Sequence, residues 1–380
     1  VDEAVLTERL MAYDTSTPEG LRAGAEFVRA WLEARELEVR HIDHAGLPVL
    51  LAETGPADGP VVILHGHIDV VPAFEHQFTP RTDGDRLVGR GAYDMKGGLA
   101  AMMCALHDAT AQDAVRVRFV CVPDEESEDV DDRSTDSLVR DGTLHADFTI
   151  TGEPTDLHIG VQAKGVLAVR IEVSGVAAHG STPWLGDNAI LKSHDIFRRI
   201  ETLPFSRESS DLFDRPSINL SRIMGGDAFN KVPDRCGMDV DIRYLPGQDP
   251  DEILGQIADL PDVEVLRSFQ RRPAIVSRRN PFVLALRDAV SRSVEGEALS
   301  IGRDGASDAI SFLEAGIPAV EFGPVGGGHH GPEEWVSIAS LARYRQALVD
   351  FVTALPAHLD AHDGAGPAAP PLRALEGGAG

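Results

Sequence analysis

Histidines and carboxylates that could bind a cation or move a proton recur in this chain at one kind of place, just after a short apolar run. His65-Gly66-His67-Ile68-Asp69 follows Val61-Val62-Ile63-Leu64, and ligands in open α/β sheets gather at the carboxyl ends of strands. In an extended segment His67 and Asp69 share a face, so the carboxylate can orient the imidazole. His65 shares that face as well, and spacing alone does not choose between the two histidines. Either could equally be a satisfied structural residue. Gly89-Arg90-Gly91-Ala92-Tyr93-Asp94-Met95-Lys96-Gly97-Gly98 surrounds Asp94 with glycines that permit tight turns. An acid so placed could bridge two cations, or simply cap the helix that follows. Asp124-Glu125-Glu126-Ser127-Glu128 continues from Phe119-Val120-Cys121-Val122. Neighbouring acids there repel unless a cation or proton intervenes, although a solvated loop is the plain alternative in so acidic a chain. Gly152-Glu153-Pro154-Thr155 and His329-His330-Gly331-Pro332-Glu333-Glu334 repeat the pattern. Each signal is weak singly. Together they set an acid or histidine after successive candidate strands, which scattered surface charge would rarely do.

The elements that must position these groups alternate. Residues 5–37 have helical apolar spacing broken at Thr17-Pro18-Glu19-Gly20, Leu99 to Ala109 reads as a buried helix, and 61–64, 115–122 and 147–151 read as strands. This predicts an α/β layer with a mixed, mostly parallel sheet. From about Gly165 the texture changes. Val166 to Val173 and Gly237 to Tyr244 alternate apolar with polar residues, as in antiparallel strands buried on one face. Helical stretches at about 188–203 and 250–259 complete the strand–helix–strand–strand–helix–strand order of a small α+β insert. Helical pattern resumes at 280–295, and Ile317 to Phe322 reads as a returning strand. The expected organisation is a discontinuous catalytic domain over 1–164 and 273–358, an inserted lid over 165–272, and a Gly/Ala/Pro-rich disordered tail over 359–380.

The chain has 380 residues, 35 Lys+Arg against 61 Asp+Glu, and a formal net charge of -26. Such a balance argues against nucleic acid or anionic membrane as a partner. No run approaches the length of a spanning helix, no signal peptide is evident, and Cys104, Cys121 and Cys236 form no CxxC pair, so a reducing cytoplasm is the expected location. The only lysines are Lys96, Lys164, Lys192 and Lys231. Abundant carboxylate with scarce lysine points to a salt-loving cytoplasm, where self-repulsion is screened.

Taken in order, these motifs resemble those of the M20 metallopeptidase and amidohydrolase family, over roughly residues 5–355. Gly66-His67-Ile68-Asp69 is similar to the family's His-x-Asp segment, which selects His67. Gly89–Gly98 resembles its bridging-aspartate motif, Asp124-Glu125-Glu126 its Asp-Glu-Glu motif, and Gly152-Glu153-Pro154 and His330-x-x-Glu333-Glu334 the last two. Glu333 stands where the family usually has Asn or Asp.

The resemblance implies a zinc-exopeptidase-like catalytic domain with a ferredoxin-like lid and dimerisation domain. It implies two divalent ions, most simply zinc with cobalt or manganese able to substitute. One would be held by His67 and Glu153, the other by Glu126 and His330, with Asp94 bridging. It further implies that Glu125 is the general base, that Asp69 orients His67, and that the Asp94 peptide is cis. His179, Asn230 and Arg243 would bind substrate, His179 reaching a partner's site in a homodimer. A solution mass equal to one chain would count against that role. The implied reaction is hydrolysis of an N-acyl amino acid, with a broader dipeptidase or aminoacylase as the alternative. A catalytically dead relative would have lost a ligand or the base, and none is missing.

Overall fold

The computed structural model describes residues 2–126, 133–293, 299–305 and 307–363. Its main sheet grows from the apolar runs read above. Arg116–Val122, Val61–His67, Phe148–Thr151 and Ala319–Glu321 lie side by side and parallel at its centre. The antiparallel hairpin Val39–His44 and Leu47–Thr54 extends one edge, and Ile159–Ala163, with Ser300–Arg303 and Ala274–Ile275 on it, extends the other. This is the expected mixed α/β layer. The central strands are mostly buried because both faces are covered. On one side lies the helix Gly97–Asp108, buried from Gly97 to Leu106. Its small residues let Glu3–Met11 and the long helix Ile338–Asp363 pack close to it.

A second sheet contains Ser217–Gly225, Arg235–Tyr244, Gly165–Ser174 and Val263–Arg271, in that order and wholly antiparallel. Leu167, Val169, Ile171 and Val173 alternate inward and meet Met238, Val240 and Ile242 beneath the helices Ala189–Ile200 and Pro250–Ala258. Burying each such side chain contributes about 1.5–3 kcal/mol. Asn188 caps one helix by accepting from the Ile190 and Leu191 amides. Asp249 caps the other, with Pro250 at its first position.

A third, small sheet is absent from the sequence reading. It pairs Gly326–Gly327 with Trp335–Ser337, then Arg86–Val88 and Arg81–Asp83. Strands of two or three residues are too short to show a period. Its effect is to clamp the loop 328–334 over the segment that bears Asp94. The C-terminal helix also runs on to Asp363, past the expected start of the tail at 359, because Leu359 still packs against the core. The rest of that tail, 364–380, lies outside the described residues.

Candidate metal centre

Asp94 sits in an irregular turn between Gly91, at φ 78°, and the helix Gly97–Asp108; its peptide bond to Met95 is cis. It does not cap that helix, whose cap position is Lys96 with no side-chain bond. What fixes Asp94 is Glu334, a residue with no solvent exposure. The Tyr93 and Asp94 amides both donate to Glu334 Oε1 at 3.0 Å, and Arg90 donates to Oε2 at 2.7 Å. Arg90 in turn donates to the His330 carbonyl at 3.0 Å, so one ion pair joins the aspartate turn to the histidine loop. Arg90 is itself 3% exposed. Removing one partner of a buried pair leaves an uncompensated charge, at a cost of about 3–5 kcal/mol. Glu334→Ala is therefore expected to lose about that much stability in denaturant unfolding. A loss under about 1 kcal/mol, typical of a surface pair, would contradict the assignment.

Around Asp94 the chain gathers the residues singled out above. His67 Nε2 lies 3.0 Å from Asp94 Oδ1 and 4.0 Å from Glu153 Oε1. His330 Nε2 lies 3.3 Å from Asp94 Oδ2 and 2.8 Å from Glu126 Oε1. His329, given no role in the sequence analysis, also reaches Asp94 Oδ2 through Nε2. The donor atoms of His67, Asp94 and Glu126 lie within 4.8 Å of one another, and so do those of Asp94, His329 and His330. Two clusters sharing one carboxylate, built of imidazole nitrogens and carboxylate oxygens, suit a pair of divalent ions.

The two histidines that spacing could not separate go different ways. His67 enters the cluster. His65 Nε2 turns to Thr135 Oγ1 at 3.0 Å, and Thr135 donates to Asp308 at 2.5 Å. Burial lowers the His65 imidazole to about 4. Asp69 does more than orient His67. Its carbonyl lies 3.0 Å from His67 Nδ1. Its carboxylate lies 3.4 Å from the same nitrogen, and accepts the Glu125 and Glu126 amides at 3.3 and 2.8 Å. One side chain thus registers the histidine strand against the acidic loop.

Electrostatics show a site that holds protons when no cation is present. Burial pushes the Glu125 carboxyl up to about 8. Burial, and then the Asp94 charge, raise Glu153 well above the carboxylate range. Burial alone would depress His67, but Asp69 and Asp94 outweigh it and raise the imidazole well above its usual value. Asp94 and Glu126 raise His330 to about 10. Cations bind only deprotonated ligands. At neutral pH, loading the site must therefore expel the protons on His67 and His330, and affinity must fall as pH falls. Adding zinc to metal-depleted protein in weak buffer at pH 7 is expected to release more than one proton per chain. Binding without release would contradict these shifts.

Beside the cluster lies a cavity of about 360 Å³ lined by Asp94, Glu125, Glu126, Glu153, His329 and His330. Arg133, Arg243, Arg271 and Arg303 line it too. Arg243 is held through Nε by Asp241 at 3.1 Å. Of the three expected substrate-binding residues, then, the fold brings Arg243 to the cavity. It leaves His179 and Asn230 together elsewhere: both are exposed, and the Gly180 amide donates to the Asn230 carbonyl at 2.7 Å. In a single chain they do not line the cavity.

A buried carboxylate shared by two candidate ligand clusters, with a partly buried acid beside them and an open cavity, suits a metal-dependent hydrolase. Residues 63–354 match the model of peptidase family M20/M25/M40, and the chain belongs to that family. It is 28% identical over 320 residues to a probable succinyl-diaminopimelate desuccinylase of Staphylococcus aureus, covering 72% of this chain and 79% of that one. It is 32% identical over 269 residues to the acetylornithine deacetylase of Proteus mirabilis, covering 66% and 68%. A putative [LysW]-lysine/[LysW]-ornithine hydrolase of Pyrobaculum aerophilum is 32% identical over 207 residues, 54% of this chain and 56% of that protein. The fold is similar to that of aminopeptidase PepT from Bacillus cereus, with a TM-score of 0.76 at 17% identity over 93% and 98% of the two chains. An M20 metallo-carboxypeptidase from Sulfolobus solfataricus gives 0.74 at 18% identity over 94% and 100%. Among the described residues no helix is long and apolar enough to cross a membrane.

Proposed function

We propose that this hydrolase cleaves the amide bond of a small N-acyl amino acid, in the manner of a deacetylase or desuccinylase. His67 and Glu153 would hold one divalent cation, Glu126 and His330 another, and Asp94 both. The observation that carries the reading is the approach of His67, Glu126 and His330 to the buried Asp94 carboxylate, with Glu153 4.0 Å from His67 and the partly buried Glu125 at the cavity wall. Zinc suits the donor set best, and cobalt or manganese can substitute. Such ions, when bound, acidify water and polarise a carbonyl oxygen.

The chain's own groups do the rest. Glu125 takes a proton from the attacking water and returns it to the departing amine. Burial raises its proton affinity, which makes the carboxylate a better base once ionised, and the charge of bound cations would favour that ionised form. Asp69 holds Glu125 in place through its backbone amide. Arg243, with one edge fixed on Asp241, offers its terminal nitrogens to the substrate carboxylate. His179 and Asn230 act on the substrate of a second subunit, in a dimer formed through the residue 165–272 unit. In support, Trp184, Leu185, Leu191, Ile223, Met224 and Phe229 are all exposed on that unit. The expected result is zinc-restored, chelator-sensitive hydrolysis of N-acetylornithine or N-succinyl-diaminopimelate. Inactivity on both with turnover of dipeptides would favour the dipeptidase reading.

A further inference from the structure

We infer that His329 is a sixth donor of the metal centre, giving the cation position beside Glu126 and His330 a second imidazole. The inference rests on the two-cation reading above and adds a ligand to it.

Adjacent side chains usually diverge, yet the rings of His329 and His330 lie with centroids 4.2 Å apart, and both present Nε2 to the same oxygen, Asp94 Oδ2. The backbone is bent to achieve this. His330 has φ 57°, a left-handed conformation that a residue with a Cβ adopts only at a cost. Gly328 has φ 73°, and a Cβ there would meet the Glu333 carbonyl oxygen at 2.6 Å. Glu334 and Arg90 hold the loop down from behind. Asp94 Oδ1 belongs to His67 at 3.0 Å, so the histidine pair faces the other oxygen alone.

A cation accepted by Oδ2 must displace whatever now hydrogen-bonds that oxygen. His329 Nε2 is then left at the same place, and its lone pair becomes available once its proton is released or moves to Nδ1. Its donor atom lies within 4.8 Å of those of Asp94 and His330, so a small side-chain movement brings them to the roughly 3.4 Å separation that tetrahedral bonds of about 2.1 Å set. The position would hold two nitrogens with the oxygens of Asp94 and Glu126. Nitrogen donors favour zinc and cobalt over manganese, so His329 biases this position toward the former pair.

The test is metal binding by the full-length chain, not turnover. Metal-depleted protein is titrated with zinc, and separately with manganese, against a chromophoric chelator, and with Co²⁺ while its visible absorption is recorded. The unmodified chain, H329A and H330A are compared. His329 is half-exposed, so its truncation leaves the core intact. For H329A, zinc affinity at one of two positions is expected to fall about tenfold or more, manganese affinity to fall less, and the Co²⁺ spectrum of that position to change. H330A, a ligand under the proposed function, sets the scale of a lost donor at the same position. Zinc affinities and a Co²⁺ spectrum unchanged in H329A but altered in H330A would overturn the His329 assignment and leave the two-cation reading standing. An unmodified chain that takes up no zinc would overturn both.

Discussion

Glu125→Gln is expected to lower kcat by about 10²–10⁴-fold, the usual contribution of a positioned general base, while both cations stay bound. The two effects separate because of where Glu125 sits. Its Oε1 lies 3.4 Å from Arg133 Nη1, and its amide is tied to Asp69. It belongs to neither ligand cluster around Asp94. Glutamine keeps the shape and removes only the ability to accept a proton. Steady-state kinetics with metal analysis of the same samples checks both halves. Near-normal kcat would remove Glu125 from the mechanism, and loss of metal would make it a ligand.

Asp94→Ala should act in the opposite order, abolishing turnover by emptying the site. Asp94 gives Oδ1 to His67 and Oδ2 to His330 and His329. Its removal takes a donor from both positions at once. Each affinity should fall by at least about 10–100-fold. Stability reports the same event. A ligand at one hundred times its Kd stabilises the native state by about 2.7 kcal/mol per site, so excess zinc should raise the Tm of the unmodified chain and do little for the variant. A variant that kept one ion at unaltered affinity would show that Asp94 serves a single position.

How much of this was legible in the sequence follows from length scale. The parallel strands Val61–His67 and Arg116–Val122 announce themselves through the apolar runs Val61–Leu64 and Phe119–Val122, because the part of a strand covered on both faces must be apolar. Alternation along Gly165–Ser174 gave away the second sheet for the opposite reason, one face being covered and one not. The sheet built from Gly326–Gly327 and Trp335–Ser337 offered no such signal, because Trp335–Ser337 pairs with Arg86–Val88, about 250 residues away. At the site, residue type and place after a strand brought attention to His67, Asp94, Glu126, Glu153 and His330. Neither could separate His65 from His67, which differ only in what the far ends of Thr135 and Asp94 offer them. The orientation of His329 depends on a left-handed turn at His330, and no local pattern encodes that. The doublet His329-His330 was the available clue. Glu334 falls within a motif by type and spacing, but its role as the clamp on Tyr93 and Asp94 depends on two backbone amides about 240 residues away.

Anomalous diffraction at the zinc edge, from crystals of metal-reconstituted protein, tests the central claim most directly. Two peaks are expected, one beside each carboxylate oxygen of Asp94, the first in contact with His67 and Glu153, the second with Glu126 and His330. A single peak, or zinc bound only at sites remote from Asp94, would contradict the account.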